Sequence, residues 1–258
     1  MAATRVQVEV DGRILRLSNL DKVMYPAPGF TKGQLIDYYT RVAPYVLPHL
    51  SGRPLTLKRY PDGVDGQHFY EKQCPSHRPD WVRTERIVAR SKEIDFCVCD
   101  DLATLVWAAN LADLEQLGLE CFPKTSGSKG LQVYVPLNIE GISYDDTKPL
   151  AHALARHLES QHPELVVSSM KKELRGGKVL IDWSQNDEHK TTVCVYSLRA
   201  RERPTVSTPV DWQEVEAALA ERDPDALVFE ADEVLDRAGE RGDLFGPVLR
   251  LEQELPEL

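Results

Sequence analysis

The chain has 258 residues and a mass of 29.1 kDa, enough to bury a real core in one domain or two closely packed lobes. Hydrophobic residues at 42% and charged residues at 28% exclude a disordered or fibrous chain, and no run approaches the length of a membrane span. The net charge of −10 is unevenly placed: residues 201–258 carry 6 basic and 16 acidic side chains, whereas residues 1–60 carry 9 basic and 4 acidic ones. A basic front end can take up a polynucleotide despite an acidic tail, although a solvated charged face is the plainer reading of any single residue.

The opening MAATRVQVEVDG lacks the apolar core of a signal peptide. Cys74, Cys97, Cys99, Cys121 and Cys194 form no CxxC pair and read as reduced thiols in a cytoplasmic protein. Residues 6–17 alternate as a hairpin turning at Asp11-Gly12. Thr31 with Gln34 makes a capping box, and Leu35, Ile36, Tyr39 and Val42 follow at helical spacing. Residues 54–60 and 67–72 read as short strands. Asp101 caps a helix bearing Leu105, Val106 and Ala109, which continues without a break to Gly118.

Residues 133–137 read as a strand. Thr147 caps a helix bearing Leu150, Ala151, Leu154 and Leu158 that ends before Pro163. Residues 178–183 and 191–196 are two expected strands, neighbours across an SQNDEHK turn. Asp211 with Glu214 opens a further capped helix, and an acidic amphipathic helix follows over 226–238. The class is α+β, with helices flanking mostly antiparallel strands.

Residues 121–137, CFPKTSGSKGLQVYVPL, carry the most chemistry. Gly127 and Gly130 let the backbone bend and approach a ligand, leaving N–H groups to meet anionic oxygens. Ser126 and Ser128 add hydroxyls, and Lys124 and Lys129 add charge. The glycine spacing is not that of a Walker loop, yet the composition suits a triphosphate. Asp182, in KVLIDWSQN, offers a hard oxygen to the divalent metal that accompanies phosphates. Taken alone, an aspartate there is a turn or cap residue, and each lysine or arginine a solvated charge.

KTSGSKGL with VYVPL, then KVLIDWSQN, TTVCVYSLRAR and TVSTPVDW, resemble successive motifs of the polymerase domain of bacterial DNA ligase D, in the archaeo-eukaryotic primase superfamily. LSNLDKVMYP, GRPLTLKRYPDG and HFYEKQ resemble the same family in the same order, so the likeness runs from residue 8 to the end. It implies a single primase-like domain over 1–258, two-lobed, with mostly antiparallel sheets flanked by helices. It also implies metal-dependent nucleotidyl transfer, often of ribonucleotides, at gaps and broken ends in bacterial non-homologous end joining. The implied cofactor is Mn²⁺ or Mg²⁺. The implied partners are a nucleoside triphosphate, gapped DNA with a 5′-phosphate, Ku and a DNA ligase activity, with no membrane and a nucleoid location when DNA is bound.

Residue by residue, the resemblance makes Asp182 the third aspartate of the catalytic metal set. Ser126, Lys129, Lys58 and Arg199 would contact the triphosphate, offsetting charge that builds up in the transition state. Gln185 lies beside the nucleotide. Gln132 stands where the family has histidine; it can hydrogen-bond a phosphate but carries no charge. Phe69 and Tyr70 match aromatics that stack on bases, against a plain reading as alternating strand residues, one of them core. Lys22 and Lys32 match lysines that hold a downstream 5′-phosphate, Lys32 beside a helix N-terminus.

One departure outweighs the agreement. Family members carry several dozen residues, with a histidine and a strand bearing two aspartates one residue apart, between helices that here read ANLADLE and QLGLE. Here Glu115 runs straight into Gln116. A lone Asp182 cannot hold two divalent ions at catalytic spacing, so the chain as written is expected not to polymerise. A rival reading is a catalytically silent module that binds 5′-phosphorylated DNA ends. A third is that the natural protein carries the segment, since losing a central strand leaves unpaired edges. Other candidates are weak: His152 and His157 point about 140° apart on one helix, and Cys74 with His77 has no second ligand pair at zinc spacing. Trp183 and Trp212 read as packing aromatics.

Overall fold

The hairpin comes first: β1 (Arg5–Val10) pairs antiparallel with β2 (Arg13–Ser18), in a computed structural model that describes residues 5–60, 62–74, 78, 80–89, 92–97, 120–221 and 223–254. Asp11 and Gly12 at its turn take φ of 49° and 71°, the left-handed pair whose twist matches the strands. β3 (Val23–Tyr25) and β4 (Phe30–Thr31) lead into α1 (Lys32–Leu50). The Thr31 hydroxyl accepts from Gln34 N, and the Gln34 side chain accepts from Thr31 N, which satisfies two donors at the helix start. Pro44 and Pro48 inside α1 each remove a backbone donor. Burial of Tyr38, Tyr39, Val42, Val46 and Leu50 on one face offsets that cost, at about 1.5–3 kcal/mol for each large apolar side chain.

The remaining strands are β5 (Leu57–Arg59) with β6 (Phe69–Glu71), β7 (Thr84–Ala89) with β8 (Lys92–Cys97), and β9 (Phe122–Thr125) with β10 (Leu131–Tyr134), each pair antiparallel. β11 (Val166–Val167) and β12 (Val179–Leu180) pair in parallel. Among them stand α2 (Tyr144–Gln161), α3 (Trp212–Glu221) and α4 (Ala231–Arg241). The class is α+β, as the sequence implies. The main core packs the α1 face against Cys194, Val195, Tyr196 and Val206, and against Ala231, Val234 and Leu235 of α4, with Phe245 beyond it.

Several expectations need correction. Residues 191–196 form no strand. Val193, Cys194, Val195 and Tyr196 are buried in succession rather than alternately, and Tyr196 turns the chain at φ 63°. Their backbone reaches residues 205–207 instead, through Tyr196 N to Ser207 O (2.7 Å). The strand expected over 178–183 shrinks to β12, which pairs with β11 and not with 191–196. β10 stops at Tyr134 because Pro136 lacks a donor, and Gln253 caps that end by donating to Pro136 O at 2.8 Å. α2 begins after Ser143, where Asp146 completes a capping box, and Thr147 merely bonds back to Ser143 O. α4 begins at Ala231 because residues 224–227 form a 3₁₀ turn capped by Asp223.

The reading of all cysteines as reduced fails at Cys74, which is disulfide-bonded; spacing along the chain does not reveal which thiols meet in space. Cys121 and Cys194 are free, and burial pushes the Cys194 thiol up to about 12. The helix expected over 101–118 lies outside the described residues. No helix among the described residues is long and apolar enough to cross a membrane.

Asp243, just past α4, ties the core together. Its carboxylate accepts from buried His49 Nε2 of α1 at 2.9 Å and from the Tyr196 hydroxyl at 2.8 Å. Burial opposes its ionisation, but the His49 and Tyr196 hydrogen bonds outweigh burial and hold its pKa below the ordinary 3.8. This contribution is complete above pH 3.8 and is lost as the pH falls below that through the lower folded-state value. Asp243→Ala leaves two buried groups unpaired and should cost about 2–4 kcal/mol in urea unfolding at neutral pH, a deficit that shrinks in acid.

Candidate functional site

The loop between β9 and β10 is shaped by its own hydrogen bonds. Ser126 N donates to Gly130 O at 2.8 Å, and Gly130 N donates to Ser126 Oγ at 3.1 Å, closing the connection between β9 and β10. Gly127 takes φ 61° and lies against the 199–206 segment. A Cβ there would sit 2.5 Å from Arg199 Cγ and 2.7 Å from the Val206 carbonyl, so only glycine allows the approach. Thr205 Oγ1 donates to Gly127 O at 2.7 Å, and Arg201 donates to Ser128 Oγ.

This approach creates one wall of a cleft of about 1050 Å³. Lys58, Tyr70, Ser126, Gln132, Asp182, Gln185 and Arg199 all line it, although they come from five separate stretches of chain. Lys58 and Tyr70 face each other across the β5–β6 ladder, with Lys58 Nζ 5.0 Å from the Tyr60 ring centre and 5.7 Å from that of Tyr70. Desolvation first, then repulsion from Arg201, lowers the Arg199 pKa from its ordinary value, so an anion beside it relieves both penalties. The sequence reading missed Arg59, Tyr60, His189, Lys190 and Arg201, which also line the cleft. Arg59 and Arg201 adjoin residues already singled out, which was the available signal.

The other expected residues lie elsewhere. Lys129 is exposed at the loop tip, outside the cleft lining. Phe69 also stands outside it; it is 47% exposed and Tyr70 63%, so neither is core. Lys22 and Lys32 neighbour each other where β3 meets β4, with Lys32 N donating to Lys22 O at 2.8 Å. Burial, then Arg59 and Lys22, lowers the Lys32 pKa, the sign of three cations crowded at one rim. Lys22 Nζ pairs with Asp62 at 3.1 Å, and Lys32 Nζ donates to Ser18 O at 2.8 Å. Lys124, expected to add charge to the loop, is 0% exposed and points inward.

Asp182 precedes a 3₁₀ turn, Trp183–Gln185. Its Oδ1 accepts from Ser184 Oγ at 2.6 Å and its Oδ2 from Gln185 Nε2 at 3.0 Å. It is the one carboxylate among the described residues that line the cleft. No group of three His, Cys, Asp or Glu gathers anywhere among the described residues. One carboxylate already engaged by two donors does not fit the two-ion arrangement that the resemblance implies.

Gly127→Ala must displace either Arg199 or the Val206 backbone. It should cost about 1–3 kcal/mol of stability and shift the Arg199 environment, readable by urea unfolding and by backbone amide NMR.

The family model described as LigD, primase-polymerase domain matches residues 31–115 and 112–245, two pieces that overlap over 112–115, next to where Glu115 joins Gln116. The multifunctional non-homologous end joining protein LigD of Mycolicibacterium smegmatis is 38% identical over 280 residues, covering 91% of this chain and 36% of the relative. The bifunctional LigD of Bacillus subtilis is 28% identical over 285 residues, covering 94% of this chain and 45% of the relative. The chain therefore spans less than half the length of these two relatives. The solved polymerase domain from Mycobacterium tuberculosis ligase D in complex with DNA superposes with a TM-score of 0.81 at 36% identity, covering 92% of this chain and 98% of that one. A cleft assembled at matching motifs, the family match and this superposition lead to one conclusion: the chain belongs to the LigD primase-polymerase domain family.

Proposed function

We propose that this domain serves nucleotidyl transfer at DNA ends in bacterial non-homologous end joining, filling gaps and extending primers with a preference for ribonucleotides. One observation carries the reading: Lys58, Tyr70, Ser126, Gln132, Gln185 and Arg199 converge on one cleft beside Asp182. A nucleoside triphosphate lies there with its phosphates against Ser126, Lys58 and Arg199 and its base beside Tyr70, where stacking requires no particular base. Exposed Phe69 extends the aromatic surface toward template bases. Lys22 and Lys32, with Arg59 nearby, receive the 5′-phosphate on the far side of a gap. Lys129 joins the phosphate contacts from the loop tip. A DNA-bound relative of 0.81 TM-score supports the DNA assignment. Ku and a ligase activity are the proposed partners in the repair reaction.

We treat residues 1–258 as one domain of this type that lacks the relatives' segment between Glu115 and Gln116. The two-piece family match supports this, as do alignments of 280 and 285 columns against a chain of 258 residues. Asp182 would supply one carboxylate toward Mn²⁺ or Mg²⁺, and the paired aspartates needed to complete the set would come from the segment this chain lacks. Within this chain Ser184 and Gln185 orient the Asp182 carboxylate, while Arg199 and Lys58 supply fixed positive charge to the phosphates.

Primer extension on gapped, 5′-phosphorylated DNA with Mn²⁺ tests this. The 258-residue chain should bind ATP and the DNA without extending it. A chain with the relatives' segment inserted after Glu115 should extend, and Asp182→Asn in that background should lower the rate at least about a hundredfold. Lys22→Ala with Lys32→Ala should remove the preference for a 5′-phosphate over a 5′-hydroxyl and flatten the salt dependence of binding. Extension by the chain without the insert would overturn the metal assignment. Failure of both chains to bind ATP would overturn the functional reading.

A further inference from the structure

Lys124 is a charged side chain with no exposed surface, in β9 behind the loop that forms the cleft wall. Its Nζ donates to Gln132 Oε1 at 2.6 Å and to Ser207 Oγ at 2.5 Å. Ser207, also fully buried, passes its own proton to Thr125 O at 2.8 Å, so its oxygen is left to accept from the lysine. Lys124 and Gln132 are direct partners across the β9–β10 ladder. An ammonium has only donors, so the Gln132 atom that faces it must be the carbonyl oxygen. The amide flip is thereby fixed by chemistry. The Gln132 –NH₂ is turned away from Lys124, it has no hydrogen-bond partner among the described residues, and Gln132 lines the cleft.

We infer that Lys124 is a positioning residue: it locks the Gln132 amide so that an N–H donor faces the cleft and binds a phosphate oxygen of the nucleotide. This rests on the proposed nucleotide site and adds to it the device that lets an uncharged side chain serve there. A free glutamine presents oxygen or nitrogen with similar ease, and its oxygen would repel phosphate. The buried ammonium removes that ambiguity and also sets positive charge one side chain behind the donor.

The test is ATP and adenosine binding by titration calorimetry, with melting temperature as the folding control. Gln132→Met should weaken ATP about tenfold and leave adenosine unchanged. Lys124→Met should weaken ATP about fivefold, and the double variant no more than Gln132→Met alone, because one residue acts through the other. Gln132→Glu keeps an oxygen for Lys124, so its melting temperature should not fall, yet it should bind ATP more than about tenfold worse. In the unsubstituted protein, the Gln132 side-chain amide should be as rigid by NMR relaxation as the backbone and should shift when ATP is added. That measurement decides the question even if Lys124→Met does not fold.

Native ATP affinity in Gln132→Met or Gln132→Glu, multiplying losses in the double variant, or a freely rotating Gln132 amide would each overturn the inference. Arg199→Ala separates it from the reading beneath. If Arg199→Ala weakens ATP and the Gln132 variants do not, only the role of Lys124 and Gln132 falls. If the unsubstituted protein binds no ATP, the nucleotide site itself falls.

Discussion

Everything at the cleft depends on the close approach of Gly127 to the backbone around Val206. Two segments 78 residues apart run against each other there, and the contact tolerates no side chain at 127. Thr125, Thr205, Ser207 and Thr208 line the seam and hydrogen-bond across it: Thr205 Oγ1 to Gly127 O, Ser207 Oγ to Thr125 O, and Thr208 N to Thr125 Oγ1 at 3.1 Å. Small hydroxyl residues suit this place because they satisfy buried backbone groups without adding bulk. The seam brings Ser126, on one segment, and Arg199, on the other, to the same wall. It also makes the pocket in which Lys124 can be buried and still hydrogen-bonded.

Charge is arranged around that wall rather than averaged over the molecule. Lys58, Arg59, Lys190, Arg199 and Arg201 meet at the cleft with one carboxylate among its described residues. Four carboxylates of the acidic final quarter are paired with basic side chains. Glu214 takes Arg237 at 2.6 Å and Arg241 at 3.0 Å, Asp211 takes Arg241 at 2.5 Å, Glu230 takes Arg203, and Asp243 takes His49. A net charge of −10 therefore says little about what the cleft attracts, because the field at a site follows the nearest unneutralised groups.

The cleft gathers several cationic and polar side chains around one carboxylate among the described residues, Asp182. Lys58, Tyr70, Ser126, Gln132 and Arg199 are held by β5, β6, the β9–β10 hairpin and the 199–206 segment. Asp182 stands in the same lining, its carboxylate held by hydrogen bonds from Ser184 and Gln185.

Sequence by itself determined the features governed by neighbours along the chain. The Asp11-Gly12 turn was legible because that residue pair readily takes the left-handed backbone of a tight hairpin, and the Thr31–Gln34 and Asp211–Glu214 capping boxes because a side chain three residues away satisfies each of them. The motif strings identified the family and seven of the residues that line the cleft, since those residues match the family's motifs in the same order. Only the tertiary structure decided that residues 191–196 are buried outside any strand, that Cys74 is bonded, that Lys124 faces inward while Tyr70 faces out, and that His189 and Lys190 join the site. Each of these depends on which distant segment removes water from a side chain, and burial by a remote partner leaves no periodic mark on the local sequence.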